Sequence, residues 1–200
     1  MPCLYPDTNH VSNNYKNSGK PQTPMDLYKN KYRIASTRLQ NWDYRRNAAY
    51  FITICTQNRI HYFGEIISQQ MQLTDIGQLA EKFWLEIPNH FPFVELGNFV
   101  IMPNHMHGIL IINNSIDVAV ETRHCLVSTG CDMSRKNSIS SIVGSYKSVV
   151  TKNARIQFDT RFAWQSRFHD HIIRNSDSFG RIQQYIANNP ENWNKDKFHQ

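Results

Sequence analysis

The stretch NFVIMPNHMHGILII at 98–112 constrains the fold of this 200-residue chain more than any other. Two apolar runs flank the turn dipeptide Pro103-Asn104, which predicts a strand, a tight turn and a second strand. Because side chains alternate between the two faces of a strand, His105 and His107 are expected to point the same way. Two such imidazoles can hold one divalent metal ion. The alternative is a pair of histidines that only form hydrogen bonds at a strand end, and a bare His-x-His pattern leaves both interpretations open.

Hydrophobic patterning before and after this hairpin predicts further elements. Residues 50–56 (YFITICT) are rich in β-branched and aromatic side chains and indicate a buried strand. Apolar residues at 3- and 4-residue spacing predict a helix that begins at an N-cap near Thr74 and is stopped by Pro88. The same spacing predicts a second helix around residues 139–150.

The C-terminal third of the chain predicts one more strand and one more helix. The strand is expected over residues 162–173, and Ser176-Asp177 is expected to cap a helix that runs into Asn189-Pro190. The resulting order is β-α-β-β-α-β followed by a helix. This is the ferredoxin-like pattern of the α+β class, in which an antiparallel four-stranded sheet carries two helices on one face.

Charge and composition divide the chain into two parts. Residues 1–37 predict a mobile basic tail, and residues 38–200 predict one folded domain with a loop insertion at 114–137. Through Arg46 there are eight basic and three acidic residues, a balance of +5 out of the net +6 of the whole chain. This balance favours a polyanionic partner such as nucleic acid. The tail is either a solvated segment or an arm that lies on phosphate.

Targeting and redox signals favour a cytoplasmic protein. The sequence has no run of 18 apolar residues, which argues against a membrane span, and no apolar N-terminal region typical of a secretory signal. None of the four cysteines is in a Cys-x-x-Cys spacing, which argues against a structural zinc knuckle.

The final predicted helix carries a second candidate site. Phe179, Ile182 and Ile186 form its apolar stripe, and Tyr185 and Asn189 are four residues apart on one flank of that stripe. A tyrosine beside an apolar stripe is commonly a core residue. The pair is the better candidate because both side chains can reach the same metal or phosphate.

Seven short motifs follow one another along the chain: RLQNWDY at 38–44, AYFITICTQNR at 49–59, FGE at 63–65, VIMPNHMH at 100–107, IVGSYK at 142–147, HIIRN at 171–175 and YIANNP at 185–190. In this order, the motifs resemble those of the REP-associated tyrosine transposases, a branch of the single-tyrosine transposases of the His-hydrophobic-His (HUH) superfamily. Together they span about residues 38–193, most of the chain.

The resemblance implies metal-dependent cleavage and rejoining of single-stranded hairpin DNA. It implies that His105 and His107 hold Mg²⁺ or Mn²⁺, with Asn189 as a third ligand where better-known members carry Gln. Zinc is the chemical alternative because imidazole suits it well. The resemblance also implies that Tyr185 is the nucleophile, which leaves a 5′-phosphotyrosine and a 3′-hydroxyl. A covalent intermediate of this kind conserves bond energy, so that rejoining needs no ATP.

Recognition of DNA is less determined by the sequence. The basic side chains that are candidates for phosphate contacts are Arg38, Arg45, Arg46, Arg59, Lys147 and Arg174, with simple solvation as the expectation for most of them. Trp42, Tyr44 and Trp193 are candidates for stacking on bases, with packing within the protein as the favoured alternative for each. His171 is a candidate general base by its position, with core packing as the favoured alternative.

Two other functions remain open at this point. The chain is alternatively a domesticated relative that binds hairpin DNA without cutting it, or a metal-independent RNA-binding protein. The latter is disfavoured because the aromatic strand motif of such sheets is missing from the sequence. The sequence leaves both a monomer and a homodimer open.

Overall fold

The structure, a computed structural model, describes residues 39, 42–114 and 138–199. The predicted tail at 1–37, Arg38 and nearly all of the predicted insertion at 114–137 lie outside the described residues. Six strands and four α-helices lie within them. They are β1 (Ala48–Cys55), β2 (Gly64–Ile67), β3 (Gln70–Leu73), α1 (Asp75–Leu85), α2 (Ile87–His90), β4 (Val94–Met102), β5 (His105–Ile112), α3 (Ile139–Gln157), β6 (His169–Ile173) and α4 (Ser176–Ala187).

The main sheet has four strands in the order β4-β5-β1-β6, and every neighbouring pair is antiparallel. The predicted α+β class with a mainly antiparallel sheet is therefore confirmed. In the register of β1 with β5, Cys55 pairs with His105 and Thr53 pairs with His107. Thr53 also pairs with His169 of β6. Strand β1 therefore lies between β5, which carries His105 and His107, and β6, which carries His169.

Both faces of the sheet are covered, which explains the continuous apolar run of β1. Alternate residues Tyr50, Ile52 and Ile54 belong to the core formed with α1 and α3. Phe51, on the opposite face, packs with Ile109, Ile173 and residues of α4. The histidine face is therefore the face on which α4 lies.

The first long helix begins where the sequence predicts. The hydroxyl of Thr74 accepts a hydrogen bond from the backbone N–H of Gly77, as an N-cap should. The predicted end at Pro88 was wrong, because α1 ends at Leu85 and Pro88 lies in the first turn of α2. Proline is tolerated there because the first turn needs no intrahelical N–H donor.

The last strand and last helix also differ from their predicted bounds. The strand predicted over 162–173 is confined to β6, and the preceding residues form a loop in which Trp164 makes a single bridge to Thr56. The cap of α4 is Asn175, whose side chain accepts from the N–H of Ser178. The helix ends at Ala187, so Asn189 lies in the turn beyond it.

A small hairpin formed by β2 and β3 was not predicted. Its connecting residues, Ser68 and Gln69, both have positive φ, at 50° and 63°. Two-residue turns of this kind normally carry Gly or Asn, so this hairpin has no recognisable turn signal in the sequence. Among the described residues, none of the helices has the length and apolar character needed to cross a bilayer.

Candidate metal and tyrosine site

The two histidines lie on one face of β5, directly after the turn formed by Pro103 and Asn104. Their ring centroids are 4.6 Å apart, and both residues are 0% exposed. The strand starts at His105, so the two-residue period of the strand carries both rings to the same side. The shared face expected from the sequence is present in the structure.

His105 is contacted on one ring nitrogen and not on the other. Its Nδ1 lies 2.9 Å from Oδ1 of Asn104. Its Nε2 is buried and has no hydrogen-bond partner among the described residues. A buried polar atom without a partner is costly, and a bound cation at this nitrogen would remove that cost.

His107 is held from three sides. Its Nδ1 lies 2.8 Å from the hydroxyl of Thr53, and its ring stacks on Phe51 at a centroid distance of 5.1 Å. Its Nε2 lies 3.4 Å from the hydroxyl of Tyr185, which projects from α4. The tyrosine predicted as the nucleophile therefore reaches the histidine pair.

Both imidazoles are neutral at physiological pH. Burial lowers the pKa of His107 to about 3 and brings the pKa of His105 well below its usual value. The neighbouring imidazole of His107 further lowers the pKa of His105, because two adjacent positive charges repel. Neutral imidazoles are the form that binds metals.

Asp196 completes a group of three metal-capable side chains that the sequence analysis missed. One ligand atom from each of His105, His107 and Asp196 lies within 4.8 Å of the others. The signal in the sequence was weak, since Asp196 belongs to no periodic pattern and follows α4 by several residues. Two imidazole nitrogens and a carboxylate oxygen suit a divalent cation.

Asn189, the ligand implied by the family resemblance, lies beside this group. Its Nδ2 is 3.4 Å from Oδ2 of Asp196. Its Oδ1 is buried and has no partner among the residues that the structure describes. Two buried acceptor atoms without partners, on Asn189 and His105, therefore fit a site for a cation.

Residues 193–199, the C-terminal segment, cover the histidine pair. The ring of Phe198 lies 4.5 Å from the ring of His105 and 5.9 Å from that of His107. Trp193 stacks on His105 at 6.0 Å. The guanidinium of Arg59 lies 4.1 Å above the Phe198 ring and donates to the sulfur of Cys55. Trp193, proposed from sequence as a base-stacking residue, is buried against the site.

Five of the six basic residues predicted to contact phosphate are described by the structure, and these five are spread over its surface. Among these five, Arg59 lies nearest the histidines, since its guanidinium packs on the ring of Phe198. Arg45 forms an ion pair with Asp43, and Arg46 lies 5.9 Å above the ring of Trp42. Lys147 donates to the backbone carbonyl of Gln165. Arg174 is exposed and lines a surface pocket at the start of α4.

The remaining candidates have more ordinary environments. Trp42 donates to the hydroxyl of Tyr50, and Tyr44 packs against the ring of Tyr50. His171 is exposed on β6, so the expectation that it packs in the core was wrong. Tyr146 is buried in the helix layer, with its hydroxyl donating to the carbonyl of Ala80.

Comparison with known proteins gives a relative and a fold. No family model matches the chain. A Haemophilus influenzae protein named only as uncharacterized is 40% identical over 165 residues, which is 82% of this chain and 92% of the relative. A REP-associated tyrosine transposase bound to a REP hairpin superposes with a TM-score of 0.52 at 21% identity, covering 82% of this chain and 77% of that one. A candidate transposase from Deinococcus radiodurans gives a TM-score of 0.42 at 13% identity, and the match covers 78% of this chain and 97% of that one. The likeness to the REP-associated enzyme shows a shared fold.

Proposed function

We propose that this chain, which belongs to the same family as the Haemophilus influenzae protein, is a metal-dependent endonuclease and strand transferase that acts on single-stranded hairpin DNA. The observation that carries the proposal is the tyrosine hydroxyl 3.4 Å from Nε2 of one of two adjacent buried histidines. The fold shared with a hairpin-bound transposase supports DNA as the partner. The sheet order β4-β5-β1-β6 supports assigning the fold to the ferredoxin-like type.

The proposed reaction uses Tyr185 as the nucleophile. Its oxygen attacks the scissile phosphorus, a bond from phosphorus to the tyrosine forms, and the bond to the 3′-oxygen breaks. The proton lost from the tyrosine balances the proton gained by the new 3′-hydroxyl. Attack by a 3′-hydroxyl on the phosphotyrosine reverses the step and joins strands.

The side chains around Tyr185 hold it in place. Its ring lies edge-on to Phe51 at a centroid distance of 6.1 Å, and 5.4 Å from the ring of His107. Positioning of this kind lowers the barrier of a displacement reaction by several kcal/mol. A tyrosine has an ordinary pKa near 10, so positioning and charge stabilisation must compensate for weak nucleophilicity at neutral pH.

His105, His107 and Asp196 would hold the cation, with the amide oxygen of Asn189 beside them. Bound Mg²⁺ or Mn²⁺ would polarise a phosphate oxygen and position the strand. The carboxylate and amide oxygens are hard ligands that suit these ions, while the two imidazoles also suit zinc. Arg59 and Lys197 both lie against the ring of Phe198 near the histidines and would be placed to meet a phosphate.

Labelled single-stranded hairpin DNA, incubated with Mn²⁺ and separated on a denaturing gel, tests the proposal. The wild-type chain should cut and should carry DNA on Tyr185, as read by mass spectrometry of the trapped adduct. Tyr185→Phe removes only the nucleophilic oxygen and should abolish both signals while retaining hairpin binding. Tyr146→Phe is the matched control because that ring is buried elsewhere. A nucleotide found on another residue, or full cutting by Tyr185→Phe, refutes the assignment.

A second candidate, a hairpin-binding protein that does not cut, is favoured by the cover over the site. Both histidines are 0% exposed beneath Phe198 and Trp193, so a phosphate must displace this segment to reach them. Phe198→Ala removes the ring that lies on both imidazoles. Hairpin binding without cutting, in the wild type and in Phe198→Ala, would favour the second candidate.

A further inference from the structure

The buried side chain of Asn104 links the C-terminal segment to His105. Its Oδ1 lies 2.9 Å from Nδ1 of His105, and its Nδ2 donates to the backbone carbonyl of Phe198 at 2.8 Å. Asn104 is 0% exposed, so solvent offers its amide no alternative partners. The two contacts use both ends of one amide group.

The hydrogen-bond partners leave one consistent arrangement. A backbone carbonyl is an acceptor, so the NH₂ end of the amide must face Phe198 and the oxygen must face His105. The Oδ1 of Asn104 is in turn an acceptor, so Nδ1 of His105 must carry the proton. A neutral imidazole has one N–H, so Nε2 of His105 is left with its lone pair. This is the nitrogen that has no partner among the described residues.

We infer that Asn104 is a positioning residue that, oriented by the carbonyl of Phe198, holds His105 in the Nδ1-protonated tautomer and presents the lone pair of Nε2 to a divalent cation. The inference rests on the proposed function for the identity of the cation site. A ligating histidine commonly donates its other N–H to a fixed acceptor, which sets both tautomer and ring orientation.

His107 lacks an equivalent constraint. Its Nδ1 contacts the hydroxyl of Thr53, and a hydroxyl either donates or accepts. The hydroxyl of Tyr185 at its Nε2 has the same freedom. The two histidines therefore differ: the tautomer of His105 is dictated by its surroundings, whereas that of His107 can change when a ligand arrives.

The backbone of Asn104 is fixed independently of its side chain. The backbone N–H of Thr56 donates to the carbonyl of Asn104 at 2.9 Å. The single proton of the Thr56 hydroxyl is shared between this carbonyl at 2.9 Å and the carbonyl of Ile60 at 2.8 Å. Thr56 is also 0% exposed. Thr56→Val therefore removes a buried hydrogen bond from the same turn without touching the imidazole, which makes it a matched control.

Nuclear magnetic resonance of the full chain labelled with ¹⁵N-histidine reads the tautomer without metal or DNA. Two-bond proton–nitrogen correlations should show His105, assigned by its loss in His105→Gln, as the Nδ1–H form. Asn104→Leu, which offers Nδ1 no acceptor, should lose this preference. Thr56→Val should match wild type even where its thermal stability falls.

Titration with Mn²⁺ alone gives a second readout. Asn104→Leu should bind Mn²⁺ about 10- to 100-fold more weakly than wild type, with Thr56→Val close to wild type. An Nε2–H tautomer for His105 in the wild-type protein overturns the inference, and this holds even if Asn104→Leu fails to fold. An unchanged tautomer and Mn²⁺ affinity in folded Asn104→Leu also overturns it. If the wild-type chain has His105 in the Nδ1–H tautomer but does not cleave hairpin DNA, that result counts against the proposed function and not against this inference.

Discussion

The hydroxyl of Tyr185 lies 3.4 Å from Nε2 of His107, the nitrogen expected to bind a cation. In either tautomer of His107, this nitrogen can contact the hydroxyl or bind a metal ion, but not both at once. Cation binding and this contact therefore exclude each other, and the hydroxyl is released from His107 when the site fills. Metal binding would therefore free the tyrosine hydroxyl to meet a phosphate at the moment when the site becomes occupied.

Tyr185→Phe should bind Mn²⁺ about two- to tenfold more tightly than the wild type, because metal binding no longer breaks a hydrogen bond. Calorimetric titration of both proteins with Mn²⁺, without DNA, measures this. Weaker binding by Tyr185→Phe would show that the hydroxyl supports the cation instead of competing with it.

Asp196→Asn should weaken Mn²⁺ binding by at least about tenfold, because the site loses its negative ligand. Asn189→Ala should have a smaller effect, since a neutral amide contributes less charge stabilisation. Asp159→Asn is a matched control, because that carboxylate pairs with Arg161 at 3.1 Å on the surface. The same titration checks all three. If Asn189→Ala weakened Mn²⁺ binding more than Asp196→Asn, the third ligand would be Asn189, as the family resemblance implies.

The sequence allowed the histidine face to be predicted but not the third acidic side chain. The face follows from local rules: a turn at Pro103-Asn104 and a two-residue period along β5. Asp196 reaches the site because the chain turns back after α4 through residues 193–195, a short helical turn without periodic pattern. Long-range reversals of this kind depend on packing and leave no local signal. The same reason explains why the cover formed by Phe198 could not be predicted.

Stability should fall as the pH decreases from about 6.5 toward 3. Burial lowers the pKa of His107 to about 3 and that of His105 well below its usual value, so between these limits the unfolded chain binds protons that the folded chain does not. The contribution of the two buried histidines to the stability is fully present above the pKa of histidine in the unfolded chain, near 6.5, and is lost as the pH decreases below it. His107 should account for about 2 kcal/mol of this loss between pH 6.5 and 5, and His105 should lower the stability in the same direction.

Urea unfolding at pH 7.5 and 5.0 checks this expectation. The loss of unfolding free energy should be smaller in His105→Asn/His107→Asn than in the wild type, since the variant has no imidazole to titrate at these positions. An equal loss in both proteins would assign the pH dependence to other groups.

Binding of hairpin DNA should become less salt-dependent when residues 1–37 are removed. This segment carries five basic and two acidic residues. Each phosphate on a single strand that the protein no longer neutralises flattens the log–log salt slope by about 0.7. The deletion must stop before Trp42, which donates to the hydroxyl of Tyr50, and Tyr44, whose carbonyl accepts from Ile139. Fluorescence anisotropy at several salt concentrations measures the slope, and an unchanged slope would show that the segment does not touch the phosphates.

Gly108→Ala should destabilise the fold although it adds one methyl group. Gly108 follows His107 on β5, and a Cβ at this position would lie 2.4 Å from Cζ2 of Trp84. That indole is 0% exposed and packs edge-on against Tyr146 at 5.3 Å, so it has no room to retreat. The free energy of unfolding should fall by about 1–3 kcal/mol.

Gly144→Ala in α3 is the matched control because its Cβ meets no atom within 4 Å, and it should raise the free energy of unfolding by about 0.4–1 kcal/mol. Urea unfolding of the two variants should give changes of opposite sign, and a neutral Gly108→Ala would mean that α1 moves to accommodate the methyl group.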